Sequence, residues 1–322
     1  MSSAVAVTID PSQFPENIRA DLLTSLRRKQ VNHKFHYDSV KQTQKWLRLH
    51  QRYSPSRHDR DCTHIYDQGF AAAAAAVRSR SVHVLGLGCG GGQKDTRLLK
   101  LLRQNRRRVF YTANDVSTAM VLVARQTALA VLPEKNCFPV VCDLATAVDL
   151  PKLLARRHPS IVTFFGMIPN FEPHDVLPKL AALLQSRDRL LFSANLAPGP
   201  DYDAGTKKVL PQYANAATRD WLMTFLTDLG VAMQDGQLVF AIERGAAGVR
   251  RIVARFHFRR ARQVEVEGKI FSFRLGDSLR LFFSYRYTPE RIVTLLQKYG
   301  LIVERMWITK SEEEGVFLCS RQ

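Results

Sequence analysis

Val82-His-Val-Leu-Gly-Leu-Gly-Cys-Gly-Gly-Gly-Gln-Lys-Asp-Thr-Arg-Leu-Leu99 reads as an apolar strand, a loop with glycine at 86, 88, 90, 91 and 92, and then an amphipathic helix. Glycines let the backbone turn tightly and approach a ligand where a Cβ would collide, and the helix start offers free N–H groups to a nucleotide-type cofactor. The next strand-like run, Arg108-Val-Phe-Tyr-Thr-Ala-Asn-Asp115, ends in an acid 23 positions after Gly92, where a carboxylate can grip a ribose diol. A third run, Phe138-Pro-Val-Val-Cys-Asp143, also ends in an acid, and a fourth, Ile161-Val-Thr-Phe-Phe-Gly166, leads into Asn170. Four strand ends therefore aim polar groups one way.

Helical patterns near 94–104, 117–130, 147–157 and 175–186 alternate with these strands, and a fifth strand follows at 189–195. Such βα alternation predicts a parallel sheet covered on both faces, with a cofactor at the carboxyl ends of its strands. After Pro198-Gly-Pro200 the pattern changes to a helix near 213–229 and strands at 237–243, 249–260, 263–267 and 269–275, an antiparallel arrangement. The chain then returns through Tyr285-Arg-Tyr-Thr-Pro289 to a helix at 289–299 and strands at 301–308 and 315–319, which would close the first sheet with antiparallel edge strands. The expected organisation is a Rossmann-like α/β domain over 61–197 and 287–322, with a smaller α+β substrate-binding or lid domain over 1–60 and 198–286. Residues 15–52 read as irregular helix, and six alanines at 71–76 mark a close-packed helix within 64–80.

With 322 residues, 46% of them hydrophobic, the chain can bury one sizeable core or two smaller ones, and no stretch is apolar enough to span a bilayer. The N-terminal segment lacks a basic region before its apolar residues and is interrupted by Asp10 and Pro11, so it is not expected to act as a signal peptide. Cysteines at 62, 89, 137, 142 and 319 form no CxxC pair, which predicts buried thiols in a reducing cytoplasm and no metal site. The formal charge of +18 raises nucleic acid, anionic membrane and anionic substrates as partners. Part of it is concentrated between Arg244 and Arg262, with seven arginines and no acid. In an extended segment Arg251, Arg255 and Arg259 share a face opposite Ile252, Ala254, Phe256 and Phe258, as on the outer side of a half-buried strand.

The motifs together resemble the class I S-adenosylmethionine-dependent methyltransferases, and within them the histidine-specific family that includes the Nα-methyltransferase of ergothioneine biosynthesis. The resemblance runs through Phe35-His-Tyr-Asp-Ser39, Tyr53-Ser-Pro-Ser-Arg57, the glycine loop with Lys94 and Thr96, Asn114-Asp-Val-Ser117, Val141-Cys-Asp143, Phe164 to Phe171, Val209-Leu-Pro-Gln-Tyr213, Arg259-Arg-Ala261 and Ser284 to Pro289. It implies S-adenosylmethionine as cofactor, bound by Gly86, Gly88, Lys94, Asp115, Asp143 and Gly166, with Asp115 on the ribose and Asp143 on the adenine amine. It also implies that Asn170 and Tyr37 orient the acceptor amine, helped by Tyr53 and Tyr213, with Ala254, Phe282 and Ser284 lining the acceptor pocket.

Three positions depart from the family. A glutamate that reads the imidazole of histidine two residues before the motif serine is replaced by Phe282. Pro169 stands where glycine is usual, and Ala254 where the side chain is larger. A phenyl ring leaves an imidazole N–H unpaired, at about 1–3 kcal/mol, so the expected acceptor is a small amino-acid-like molecule other than histidine. The alternatives are histidine recognised by a substitute acid such as Asp220, and a nucleic-acid or protein substrate held by the basic surface; specific nucleic-acid binding and a membrane partner are not expected.

Overall fold

The computed structural model describes residues 4–154, 156–245 and 248–322 and divides into two compact units. The first comprises the chain up to Phe14, Ser54–Leu196 and Tyr287–Gln322; the second comprises Pro15–Tyr53 and Ala197–Arg286. In chain order the strands are β1 (Thr8–Ile9), β2 (Ser81–Leu87), β3 (Arg108–Asp115), β4 (Cys137–Val141), β5 (Ser160–Phe165), β6 (Arg189–Asn195), β7 (Gly236–Arg244), β8 (Arg250–Phe258), β9 (Arg262–Val266), β10 (Lys269–Phe273), β11 (Ser278–Arg286), β12 (Leu301–Ile308) and β13 (Glu314–Arg321).

The first unit is built on one sheet in the order β1-β4-β3-β2-β5-β6-β13-β12. Its strands β1 to β6 pair in parallel, and the order reverses outward from β2, which places the carboxyl ends of β2 and β5 at a topological switch point. The two C-terminal strands close one edge of the sheet in antiparallel pairing, as expected. β13 inserts between β6 and β12 and runs antiparallel to both, leaving β12 outermost. The N-terminal boundary differs from the sequence expectation. Thr8 and Ile9 pair with Val140 and Val141, so this segment joins the sheet of the first unit, and residues 54–60, expected in the second domain, belong to the first unit as well.

The helix Arg60–Ala76 covers β13, β12 and β6, burying Ile65, Tyr66, Phe70, Ala73 and Ala74. Small residues let it lie close: a Cβ at Gly69 would stand 2.8 Å from the Val316 side chain. Helices Gln93–Gln104 and Thr118–Ala128 follow β2 and β3, whereas of the expected helix at 147–157, whose residue 155 lies outside the described residues, the single turn Leu150–Leu153 is formed, with Pro151 at its start. Cys62, Cys137, Cys142 and Cys319 are buried thiols.

In the second unit, helices Pro15–Arg28, Val40–Tyr53, Tyr202–Val209 and Ala216–Asp228 accompany a three-stranded antiparallel sheet, β11-β8-β7, and the hairpin β9-β10. β11 was not foreseen, for a specific reason. Leu279 faces Phe256 and Arg280 faces Arg255, but Phe282 faces Ala254, so a bulge at Leu281 shifts the alternation by one residue. A strict two-residue period cannot be read across it.

Gly86 has a structural use of its own. A Cβ there would stand 2.2 Å from Asp95 Oδ2, inside the space taken by a buried carboxylate that accepts hydrogen bonds from Tyr111 Oη (2.8 Å) and Thr163 Oγ1 (2.7 Å). Gly86→Ala should therefore lower the unfolding free energy by roughly 3 kcal/mol through overpacking and loss of these bonds, read from the denaturant midpoint. A loss below about 0.5 kcal/mol would show that the carboxylate has room to move.

Candidate active site

Within the first unit, functional groups collect beyond the carboxyl ends of β2 to β5. The loop after β2 reaches the following helix through Gly88, Gly90 and Gly92 at φ of +61°, +50° and +74°. Asp115 ends β3; its Oδ2 accepts the Gly90 N–H and its Oδ1 the Ser117 N–H, both at 3.1 Å. Burial pushes this carboxyl up to about 6 although those N–H groups favour the anion. Asp143, two residues beyond β4, accepts the Ala145 N–H on Oδ1 (2.9 Å), and its own N–H donates to Ser12 Oγ (3.0 Å). After β5, Gly166 at φ +69° donates its N–H to Ser193 Oγ (2.9 Å), and Asn170 closes a short 3-10 turn with its N–H on the Met167 carbonyl (2.9 Å).

The Lys94 ammonium lies 2.6 Å from Tyr66 Oη and 3.9 Å from Glu314 Oε1, and burial lowers its pKa. Tyr66 also hydrogen-bonds Glu314 and lies 2.7 Å from Ser193 Oγ, so Lys94, Tyr66, Glu314, Ser193 and the Gly166 N–H form one polar network. An anchored acid at the end of β3, a second after β4, and a loop of left-handed glycines fit ribose hydroxyls, an adenine amine and a closely approaching backbone. Gly86 lies within β2, just before this loop, and the room left by its missing side chain is filled by Asp95.

Within the second unit, the sheet register relates two residues singled out in the sequence, Ala254 and Phe282, to Phe240. Phe240, Ala254 and Phe282 lie opposite one another on β7, β8 and β11, which sets the small alanine between two phenylalanines in the buried cluster. Phe282 packs 5.8 Å from the His33 ring, 6.1 Å from Tyr213 and 6.1 Å from Trp221. Tyr37 lies 5.1 Å from His33, 5.6 Å from Trp221 and 5.9 Å from Trp46, and its hydroxyl is 3.0 Å from His33 Nε2. Tyr213 Oη is 3.0 Å from Ser284 Oγ and accepts from Arg286 Nη2 at 2.7 Å. Tyr53 is not part of this cluster: at the end of its helix it is 45% exposed, with the Arg52 guanidinium 5.3 Å from its ring.

Asp220 does not serve as a substitute acid for Phe282. Its carboxylate is exposed and paired with Lys45 (2.7 Å), while the next residue, Trp221, turns inward and donates its indole N–H to the His36 carbonyl (2.8 Å). Five of the segment's seven arginines meet acids on other elements or neighbouring strands. Arg251 and Arg255 meet Glu243 on the adjacent strand at 3.2 and 2.7 Å, Arg250 meets Asp203 (2.5 Å), and Arg260 and Arg262 meet Asp235.

The strand order, with an inserted antiparallel β13, and the acids beyond β3 and β4 define a Rossmann-like S-adenosylmethionine-dependent methyltransferase. The chain belongs to the family of histidine-specific, S-adenosylmethionine-dependent methyltransferases, whose model matches residues 18–321. It is 24% identical over 251 residues to the N-methyltransferase imqF of Aspergillus flavus, covering 74% of this chain and 67% of that protein. Among solved structures it is similar to the CcbJ methyltransferase from Streptomyces caelestis, at 16% identity and a TM-score of 0.42 over 80% of this chain and 95% of that one. It is also similar to the mitomycin 7-O-methyltransferase MmcR, at 12% identity and a TM-score of 0.45 over 97% and 70%.

Sequence reading missed Asp95, Tyr66, Glu314, His33, Trp221 and Arg286. Asp95 carried a signal, an acid in the first turn of the helix after the glycine loop, as did His33 four residues before Tyr37 and Arg286 two after Ser284; Tyr66, Glu314 and Trp221 are brought to their partners by tertiary pairing. His36 belongs to the same second-unit core. It is fully buried and donates from Nε2 to the carbonyl of the bulged Leu281 (2.6 Å), and burial pushes its pKa down to about 4. The unfolded chain then binds a proton at His36 that the folded chain refuses. Stability from this group is complete above pH 6.5 and declines as pH falls from 6.5 to about 4. His36→Gln keeps a donor for Leu281 without titrating. Its unfolding free energy, followed by tryptophan fluorescence, should fall less steeply over that range, by up to roughly 3 kcal/mol in total; parallel curves for the two proteins would refute the assignment.

Proposed function

We propose that the protein transfers a methyl group from S-adenosylmethionine to the amino group of a small amino acid or amino-acid derivative whose side chain is apolar or aromatic. The observation carrying this reading is the register that sets Phe282 opposite Ala254 inside a cluster with Trp221, Tyr213, Tyr37 and His33. The name of the fungal relative, an N-methyltransferase, supports nitrogen as the acceptor atom. An apolar side chain buried against Phe282 contributes about 25 cal/mol per Å², whereas an imidazole N–H facing the phenyl ring goes unpaired.

In this reading Gly88, Asp115, Asp143 and Gly166 hold the cofactor, Asp115 accepting from the ribose hydroxyls, and Lys94 adds a positive charge beneath the loop. Bound S-adenosylmethionine supplies an activated methyl carbon, so no metal or strong base is needed. The protein's part is alignment and exclusion of water, with a neutral amine in line at about 3–3.5 Å. Tyr37 in the second unit orients that amine. Tyr213 and Ser284 hold the rest of the acceptor backbone, and Tyr53, exposed as it stands, has the smallest claim to a role. The paired state of Arg250, Arg251, Arg255, Arg260 and Arg262 weighs against a nucleic-acid substrate.

Two measurements check this. A methyl-transfer screen of proteinogenic and modified amino acids should favour apolar and aromatic acceptors over histidine, and Phe282→Glu should raise histidine turnover relative to the best of them by about tenfold or more. Efficient methylation of histidine by the unaltered enzyme, with rejection of every apolar amino acid, refutes the proposed pocket. For the cofactor, calorimetry with S-adenosylhomocysteine should show Asp115→Ala weakening binding by about tenfold or more. In the unaltered protein the affinity should fall as pH drops through about 6, because only the carboxylate accepts from both hydroxyls. Unchanged affinity in the variant would remove Asp115 from the cofactor site.

A further inference from the structure

We propose that His33 and Arg286 are positioning residues that give Tyr37 and Tyr213 hydroxyls of opposite polarity, so that Tyr37 accepts from the acceptor's amine and Tyr213 donates to its carboxylate. The inference rests on the amino-acid N-methyltransferase reading above and adds how that site reads the two ends of the acceptor backbone.

A phenol has one proton to give. Tyr37 Oη lies 3.0 Å from His33 Nε2, and of the two groups the phenol is the stronger donor and a neutral imidazole nitrogen the stronger acceptor. His33 stays neutral because burial, reinforced by the neighbouring His36, holds its pKa far below the ordinary value. The Tyr37 proton is therefore directed to His33, which leaves its oxygen to act toward a further partner as an acceptor. This orientation suits the chemistry. A nucleophilic amine must keep its lone pair for the methyl carbon, so it has to be held through its N–H bonds; a hydroxyl donating into the lone pair would block attack.

Tyr213 has the opposite arrangement. The Arg286 guanidinium only donates, and its Nη2 lies 2.7 Å from Tyr213 Oη, so at that contact the oxygen accepts. The Tyr213 proton is left to point elsewhere. Ser284 Oγ, 3.0 Å away, can accept it or, by rotating its own hydroxyl, release it to an anionic oxygen. A cation hydrogen-bonded to a hydroxyl oxygen makes the hydroxyl proton a better donor, which favours a carboxylate. Both tyrosines belong to the aromatic cluster around Phe282 and Trp221, so each polarising group acts where water competes little.

The test uses the full chain with saturating S-adenosylmethionine and pairs each amino-acid probe with its decarboxylated amine, beginning with L-phenylalanine and 2-phenylethylamine. The unaltered enzyme should prefer the amino acid by about tenfold or more in kcat/KM. Arg286→Met and Tyr213→Phe should each reduce that preference to within about threefold by slowing the amino acid and not the amine. His33→Phe should lower kcat for both probes by about tenfold with KM nearly unchanged, and His33→Gln, which keeps an acceptor for the hydroxyl, should recover most of it. In a Tyr37→Phe background His33→Phe should cost less than about twofold more, since it acts through that hydroxyl.

Thermal melting of each variant separates misfolding from these effects, and if His33→Phe does not fold, the Arg286→Met preference decides alone. An undiminished His33 effect in the Tyr37→Phe background, or equal slowing of amino acid and amine by Arg286→Met, overturns the inference while the N-methyltransferase reading stands on the unaltered enzyme's turnover. Failure of the unaltered enzyme to methylate any amino acid overturns both.

Discussion

One buried carboxylate ties the cofactor half of this enzyme to its sheet. Asp95 leaves the first turn of the helix Gln93–Gln104, enters the space vacant at Gly86 and takes hydrogen bonds from Tyr111 on β3 and Thr163 on β5. The strands on both sides of β2 are thereby joined to the helix whose first turn faces the glycine loop. Burial raises Asp95 to about 6, a cost of placing a carboxyl there that the two hydroxyl donors partly offset. The loop geometry, the Gly90 N–H on Asp115 and the position of the β3 terminus all follow from where this helix begins. A glycine that reads as a cofactor contact is thus first a requirement of packing, and the ligand-facing backbone inherits its shape from that packing.

In the second unit the comparable constraint is the bulge at Leu281. It changes the face to which β11 directs its residues, so that Phe282 and Ser284 share a face with Ala254 and Ile252. The carbonyl it releases is taken by His36, whose neutral ring packs on Trp221 and Phe225. One irregular residue therefore sets both the aromatic lining and the burial of a neutral histidine beneath it.

Much of the first unit was legible because its strands are fully buried, parallel and separated by helices, which leaves a repeated local pattern in the sequence. The glycine loop, Asp115, Asp143 and the alanine-rich helix could each be placed from neighbouring residues. What escaped was non-local or out of phase. β13 inserts between β6 and β12 by pairing that spans more than a hundred residues, β11 breaks its own alternation, and the expected helix at 147–157 carries a proline that starts a turn at Pro151 but has too few periodic apolar residues beyond it. Phe282 was identified as the point of departure from the family, but its neighbours His33 and Trp221 come from distant segments that only the folded unit assembles.

The arginine segment shows the same limit in electrostatic form. Counted along the chain, Arg244 to Arg262 has no compensating acid; counted through space, β7 lays Glu243 beside Arg251 and Arg255, and Asp203 and Asp235 reach Arg250, Arg260 and Arg262 from other elements. Solvent-screened pairs add little stability, a median of about 0–1 kcal/mol each, but they set three carboxylates against five of the arginines and so weaken the local field that would attract a polyanion. The net charge of +18 is therefore a poor guide to the substrate. Discrimination is carried by few groups at short range, where a cation beside one phenol and a neutral imidazole beside another decide which way each proton points.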